Sequence, residues 1–319
     1  MRTELIFRKT KDLSVHEKDQ IRNLLLRVFE IKLSAELFEQ RFLCSSKGYS
    51  YHGLMVYKKE IVGTFNAIPY RYRYFGKEQT FALSVSTMIA PEHRGGAANL
   101  QEMASMVYHA LIDDGIPFIY GFPNELYYNH EKRILKTKDI GKLDYYVLPL
   151  NIGAVFSKMR LLNSLSQICA KMIVRFPKVH RSAEHKYNIE KIDDKQFRKH
   201  RYDDSYSIVG LDSGGECVYK ICEEERKVRV LYIIDVTPLT SVYFDEAVRR
   251  VYKLASKSVD LVIYVGKLPF RPARLIKLPR LMEPQKVRMT GKILLPGVVN
   301  DSVFAIENWN VNISDFDVR

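Results

Sequence analysis

The chain has 319 residues, 46% hydrophobic and 27% charged, enough for two domains that bury their cores without a covalent staple. No run approaches the roughly 20 apolar residues that cross a bilayer. Four cysteines and eight scattered histidines offer neither a two-residue Cys gap nor His-Glu-x-x-His, which argues against a zinc site. The net charge of +13 is patchy: residues 1–150 carry +4, 151–200 carry +7 and 251–300 carry +8. A polyanion, an anionic membrane surface or a phosphorylated ligand would each be attracted.

The first ten residues, "MRTELIFRKT", lack the apolar core of a signal peptide, so a soluble cytoplasmic protein is expected. Ser14 and Glu17 have the spacing of a capping box, and Ile21, Leu24, Leu25 and Val28 then share one helical face. A shorter helix is expected around Leu37, Phe38, Arg41 and Phe42. "HGLMVYKKEIVGTFNAIPYRYRYFGKEQTFALSVSTMIAP" reads as an antiparallel meander with turns at Lys-Lys-Glu and Phe-Gly-Lys-Glu. Within it, "YRYRY" sets Tyr70, Tyr72 and Tyr74 on one face and Arg71 and Arg73 on the other. A half-buried strand explains this alternation better than RNA stacking does.

A third helix follows, with Leu100, Met103, Met106, Val107, Ala110 and Leu111 at helical spacing and a cap expected from Asn99 and Glu102. "GIPFIYGF" is a short buried strand and "YYVLPL" another. Residues 151–185 mix apolar side chains with Lys158, Arg160, Lys171, Arg175 and Lys178. They read first as a helix connecting two domains, with an interfacial helix on anionic lipid as the alternative. From 186 the outline repeats: strands at "YSIVGLD", "GECVYKI" and "KVRVLYIIDV", a helix at "SVYFDEAVRRVYKLASKS", a strand at "DLVIYVG", then extended segments at "VRMTGKILLPG" and "SVFAIENW".

The chemistry is concentrated in "VSTMIAPEHRGGAAN". A strand, a small-residue turn and a helix start come in that order. Small residues let the backbone approach a ligand, and the helix start offers unpaired N–H groups at the positive end of its dipole. That arrangement binds phosphate, and Arg94 adds charge. There is no Walker A lysine, and the third glycine of a dinucleotide fingerprint is missing.

The ordered set resembles the GNAT acyltransferase superfamily. In that family a meander leads to a strand, an Arg/Gln-x-x-Gly-x-Gly/Ala loop and a helix, followed by a further strand and Asn, here "FIYGFPN". The likeness covers roughly residues 5–150. "PEHRGG" followed by "GFPN", and the terminal "NWNVNISDFDVR", are similar to a bacterial group associated with surface-polysaccharide and lipid-linked sugar modification. The resemblance implies acetyl-CoA as co-substrate, lying between two strands that splay apart. Its pantetheine would pair with the strand holding Ser86, Thr87, Met88 and Ile89. Its pyrophosphate would sit over the amides of Arg94, Gly95, Gly96, Ala97, Ala98 and Asn99. Ala97 and Asn99 stand where the family has glycine and Gly or Ala. Asn124 is either a pantetheine ligand or a helix N-cap.

Acyl transfer needs a base for the acceptor and a proton donor for the leaving thiolate. The resemblance sets "HEKRIL" in the place of the family's donor segment, which would make His130 the donor. Tyr127 and Tyr128 lie within one turn, and Tyr128, whose phenol can protonate a thiolate, is favoured with His130 as rival. His93, Glu92, Asp315 and Asp317 are candidate bases. The expected architecture is α/β, with two GNAT-like domains, each a mixed, mostly antiparallel sheet flanked by helices. Residues 1–150 would form the acyl-CoA-binding domain, 151–185 a connecting helical segment and 186–319 a degenerate GNAT-like domain. The expected function is N-acyl transfer from acyl-CoA to a small-molecule or glycan acceptor, with Arg271, Arg274 and Lys277 recruiting an anionic one. A Fem-type aminoacyl-tRNA-dependent peptidyltransferase and a non-catalytic binding module are the alternatives. Neither DNA nor a metal is expected, and peripheral membrane contact stays open.

Overall fold

A computed structural model describes residues 3–43, 45–155, 161–176 and 186–316. In chain order it contains β1 (Glu4–Lys9), α1 (Val15–Phe29), α2 (Ala35–Leu43), β2 (Tyr51–Tyr57), β3 (Glu60–Tyr74) and β4 (Lys77–Ile89). Next come α3 (Ala97–Asp113), β5 (Phe118–Gly121), α4 (Glu125–Leu135), β6 (Lys138–Lys142), β7 (Asp144–Pro149), α5 (Ile152–Val155) and α6 (Asn163–Arg175). Then follow β8 (Ile189–Lys191), α7 (Lys195–Arg201), β9 (Ser207–Gly210), β10 (Glu216–Glu223), β11 (Arg229–Thr237) and α8 (Ser241–Ala255). The last elements are β12 (Leu261–Gly266), β13 (Ile276–Lys277), β14 (Arg288–Ile293) and β15 (Trp309–Asn310).

These elements form two compact units, and neither is continuous in sequence. The first comprises Met1–Lys142, Asn188–Arg201 and Lys286–Trp309. The second comprises Leu143–Tyr187, Tyr202–Gln285 and Asn310–Arg319. The linear division at 150 and 186 expected from the sequence therefore differs from the observed one: "YYVLPL" joins the second unit, and "VRMTGKILLPG" the first.

The first unit holds a mixed sheet in the order β1-β2-β3-β4-β5-β14-β6. Along that path only β4 and β5 are parallel. The crossover between them is α3, as a parallel pair requires. Helix α1 begins at the expected capping box: the Glu17 amide donates to Ser14 Oγ at 3.2 Å and Ser14 N–H donates back to Glu17 at 2.8 Å. Its buried face is Ile21, Leu24 and Leu25. The expected meander is β2-β3-β4. On β3, Tyr72 and Tyr74 are buried while Arg71 pairs with Glu78 and Asp194, and Arg73 with Glu190. Tyr72, Phe81, Phe118 and Tyr120 surround Trp309, with ring centroids 5.6–5.9 Å away. The Tyr72 and Tyr120 hydroxyls meet at 2.6 Å, so neither buries an unsatisfied group.

The strand that sequence adjacency misses is β14. Thr290 lies opposite Gly121 of β5 and, on its other side, opposite Asp139 of β6. Strand β5 is only four residues long, and β14 covers the edge it would otherwise expose.

The second unit holds a sheet in the order β13-β7-β12-β11-β10-β9. Strands β11 and β12 run parallel and are joined by α8, while the other pairings are antiparallel. Phe244, Val248 and Val251 of α8 pack on Leu231, Ile233, Val262 and Tyr264. Thus each unit contains one strand–helix–parallel-strand crossover within a mostly antiparallel sheet. Cys169 and Cys217 are free thiols, and Cys44 lies outside the described residues. Among the described residues no cluster of His, Cys, Asp and Glu could hold a metal ion, and no helix is long and apolar enough to cross a membrane.

Candidate functional site

The parallel pairing of β4 with β5 runs only from Phe81 to Ser84, because β5 stops at Gly121 opposite Ser84. On its other edge β4 stays paired to β3 as far as Ile89. Among the described residues, 85–89 therefore have a strand on one side only. A bulge sits at this point: Asn66 faces Val85 while Thr64 faces Met88, and Ser86 takes a left-handed φ of 48°. Such a conformation costs a non-glycine residue ~1–2 kcal/mol and needs support. The Ser86 carbonyl accepts from Thr64 Oγ1 and Asn66 Nδ2, both at 3.1 Å, and its hydroxyl accepts from Arg41 at 2.9 Å. Asn66 is in turn held by the buried His52 ring at 2.9 Å, whose other nitrogen meets Thr10 at 2.8 Å. Burial pushes the His52 imidazole down to about 4, against the Asn66 hydrogen bond, so it is neutral.

From Ile89 the chain turns through residues 91–93 into α3. Arg94 reaches back and donates from Nε to the Ile89 carbonyl at 2.9 Å, which ties the turn to the strand end. Gly95 has φ 131°, open to glycine and strained for any other residue. Gly96 is the N-cap and offers no side chain, so no side-chain bond closes the start of α3 and no acidic residue lies in its first turn. The cap expected at Asn99 and Glu102 is absent. The helix starts earlier, at Ala97, and places Asn99 inside the first turn with its amide near Gly96. Gly95, Gly96, Ala97 and Ala98 are all exposed. The corresponding helix in the second unit differs: Thr240 caps α8 by accepting from the Tyr243 amide at 3.4 Å. Of the candidate bases, Glu92 is paired with Arg27, and the His93 ring lies 4.9 Å from that of Tyr57.

After β5, Asn124 is the N-cap of α4, accepting from the Tyr127 amide at 2.8 Å. Two adjacent tyrosines then point in different directions. Tyr128 donates its hydroxyl to Asp139 at 2.6 Å, receives Lys132 at 3.3 Å and lies under the Arg288 guanidinium, 4.3 Å from its ring. Burial alone would raise the Asp139 carboxyl, but the hydrogen bonds from Lys132 and Tyr128 hold it below its ordinary value. The Tyr127 hydroxyl is instead buried beside Thr87, on the unpaired stretch of β4, without a partner at full hydrogen-bond geometry among the described residues. Burial, reinforced by the nearby Glu131 charge, raises its ionisation well above that of a free phenol, so it remains a proton donor.

Glu131, one turn on, was not among the residues singled out in the sequence. It is buried and accepts from Thr290 of β14 at 2.6 Å. Burial lifts its carboxyl above the ordinary range, against that hydrogen bond. The signal was the spacing of Tyr127, Glu131 and Leu135, four residues apart, which marks the inner face of α4. His130 lies on the exposed face. Asp315 is buried in the second unit and accepts from the Asn312 amide at 2.8 Å, a capping role. Asp317 lies outside the described residues.

The basic patch expected at 271–277 is not a free cluster. Arg274 is 3% exposed, pairs with Asp245 at 2.5 Å and donates to the Val174 carbonyl at 2.6 Å. Lys277 pairs with the buried Asp144 at 2.9 Å. Only Arg271 of the three is exposed without a described ion pair.

No family model and no curated protein matches the sequence. Solved structures do match. One is a conserved protein of unknown function from Enterococcus faecalis, described as a probable N-acyltransferase. It is 14% identical, with a TM-score of 0.58, and the match covers 92% of this chain and 73% of that one. A GCN5-related N-acetyltransferase from Anabaena variabilis matches at 14% identity and TM-score 0.58, covering 91% and 73%. Another from Kribbella flavida matches at 14% and 0.55, covering 92% and 72%. The chain has the fold of these proteins: a mixed α/β architecture with two mostly antiparallel sheets flanked by helices.

Proposed function

We propose that the protein transfers an acyl group, acetyl in the first instance, from acyl-CoA to an amine or hydroxyl of a sugar or glycan precursor. One observation carries this reading: the buried Tyr127 hydroxyl, beside Thr87 but without a partner at full hydrogen-bond geometry among the described residues, at the strand edge that β5 leaves uncovered. A buried hydroxyl whose bonding is incomplete marks a place where a ligand can complete it.

The residues present fit the coenzyme. The backbone of residues 85–89 offers a strand edge to the amides of pantetheine, as an added strand would. The open amides of Ala97, Ala98 and Asn99, behind Gly95 and Gly96, suit a pyrophosphate. Acyl-CoA supplies the thioester. The acceptor's nitrogen or oxygen bonds to the acyl carbon as the carbon–sulfur bond breaks, Tyr127 gives its proton to the departing sulfur, and the proton the acceptor loses passes through solvent to restore the Tyr127 hydroxyl. Tyr128 and Asn124 are placed in support: Tyr128 ties α4 to β6, and Asn124 fixes the start of α4. The second unit, whose crossover helix is closed by Thr240, is assigned no coenzyme.

Calorimetric titration with acetyl-CoA tests the first half of this reading. Thiol release in the presence of amino sugars and nucleotide-linked sugars tests the second. Saturable binding with acceptor-dependent release is expected. Binding without release for any acceptor points to a binding module, and aminoacyl transfer from aminoacyl-tRNA without coenzyme binding points to a peptidyltransferase.

A further inference from the structure

Helix α6 has two apolar faces. At about 100° per residue, Ala170 and Val174 fall on one side and are buried in the core of the second unit. Leu165, Ile168, Met172 and Phe176 fall on the other, and they are 56%, 54%, 47% and 59% exposed. Leu161, just before the helix, is 97% exposed. The stripe is held rigidly outward. Ser166 donates to the Leu150 carbonyl at 2.7 Å, and Arg274, buried and paired with Asp245, donates to the Ile173 and Val174 carbonyls. A continuous apolar stripe on a docked helix is not ordinary surface, and it marks a partner.

The charge beside the stripe says which partner. Lys171 and Arg175 are exposed on its flank. From residue 151 to 183 the sequence has six Lys or Arg and no Asp or Glu. We propose that α6 docks this protein on the surface of an anionic lipid bilayer, lying in the membrane plane. Acyl chains take up Leu165, Ile168, Met172 and Phe176 without demanding a matching groove, while lipid phosphates take up Lys171 and Arg175. The helix has thirteen residues and a length of ~20 Å, against the ~30 Å of the hydrocarbon core, so it lies flat and does not span. The placement is independent of the acyl-transfer reading.

Sedimentation of the full-length protein with vesicles is the test. Binding to mixed phosphatidylglycerol–phosphatidylcholine vesicles, weakening with salt, is expected, with little binding to phosphatidylcholine alone. Leu165→Glu with Met172→Glu should lower the anionic-vesicle partition by ~100-fold, since each removes an inserted apolar group and adds a repelled charge. Lys171→Gln with Arg175→Gln should lower it ~10-fold and flatten the salt dependence. All four positions are exposed, and circular dichroism confirms that the variants stay folded. Wild-type protein that ignores anionic vesicles overturns the proposal. So does undiminished binding by the Leu165→Glu, Met172→Glu variant, or a wild-type dimer in sedimentation velocity that this variant converts to monomer.

Discussion

Tyr128 donates its hydroxyl to Asp139 at 2.6 Å, which commits that tyrosine to the α4–β6 contact. The neighbouring Tyr127, rotated by about 100° on the helix, faces Thr87 instead. Tyr127→Phe is therefore expected to lower turnover by ~10²–10⁴-fold at unchanged acetyl-CoA affinity, the usual weight of a general acid. Tyr128→Phe is expected to keep most of the rate. Steady-state thiol release with both variants checks this. The reverse ranking would return the donor role to Tyr128.

Gly96→Glu places bulk and negative charge at the start of α3, where open space surrounds the residue apart from Asn99. Coenzyme affinity should fall at least ~10-fold, the equivalent of one lost charge-assisted hydrogen bond. Gly95→Ala should also weaken binding, because φ 131° is strained for alanine. Titration calorimetry reads both. Unchanged affinity in Gly96→Glu would place the coenzyme elsewhere.

His52 makes stability depend on pH. Its folded pKa of about 4 lies below the ordinary 6.5, so the unfolded chain takes up the proton first on acidification. Stability should be full above pH 6.5 and decline as pH falls toward 4, by roughly 3 kcal/mol from this residue. Urea unfolding midpoints across that range, compared with His52→Gln, isolate the effect. Parallel slopes in the two proteins would assign the acid sensitivity to other groups.

Arg274→Ala is expected to destabilise by about 3 kcal/mol, because it removes the buried partner of Asp245, leaving only the longer 3.7 Å pair with Arg249, and frees the last carbonyls of α6. Arg271→Ala, at an exposed position, should change stability by less than ~0.5 kcal/mol. Thermal denaturation of both distinguishes a structural arginine from a surface one.

The sequence made legible whatever rests on neighbours in the chain. The Ser14–Glu17 box, the β2-β3-β4 meander and the glycine turn before α3 are local, and each appears in the structure. The start of α3 was misplaced because Asn99 is the better capping residue, yet the Gly95–Gly96 turn already admits a helix from Ala97. Which of Tyr127 and Tyr128 faces the strand edge depends on the rotation of α4. That rotation is set by burying Glu131 and Leu135, and a carboxylate does not announce itself as a core residue. The pairing of Arg274 with Asp245 joins residues from separate elements, and no local pattern signals it.

Strand β14 has a consequence for synthesis. The ribosome makes β5 and β6 first, and more than 140 residues later it makes the strand that fits between them. Until then the nascent chain carries a gap in its first sheet, with the amides and carbonyls of Phe118–Gly121 exposed on one edge. A fragment cut at residue 150 never fills that gap, so it is a poor vehicle for studying the coenzyme site on its own. Its open edge invites a strand from another molecule, and chaperone dependence should track the time taken to reach residue 293.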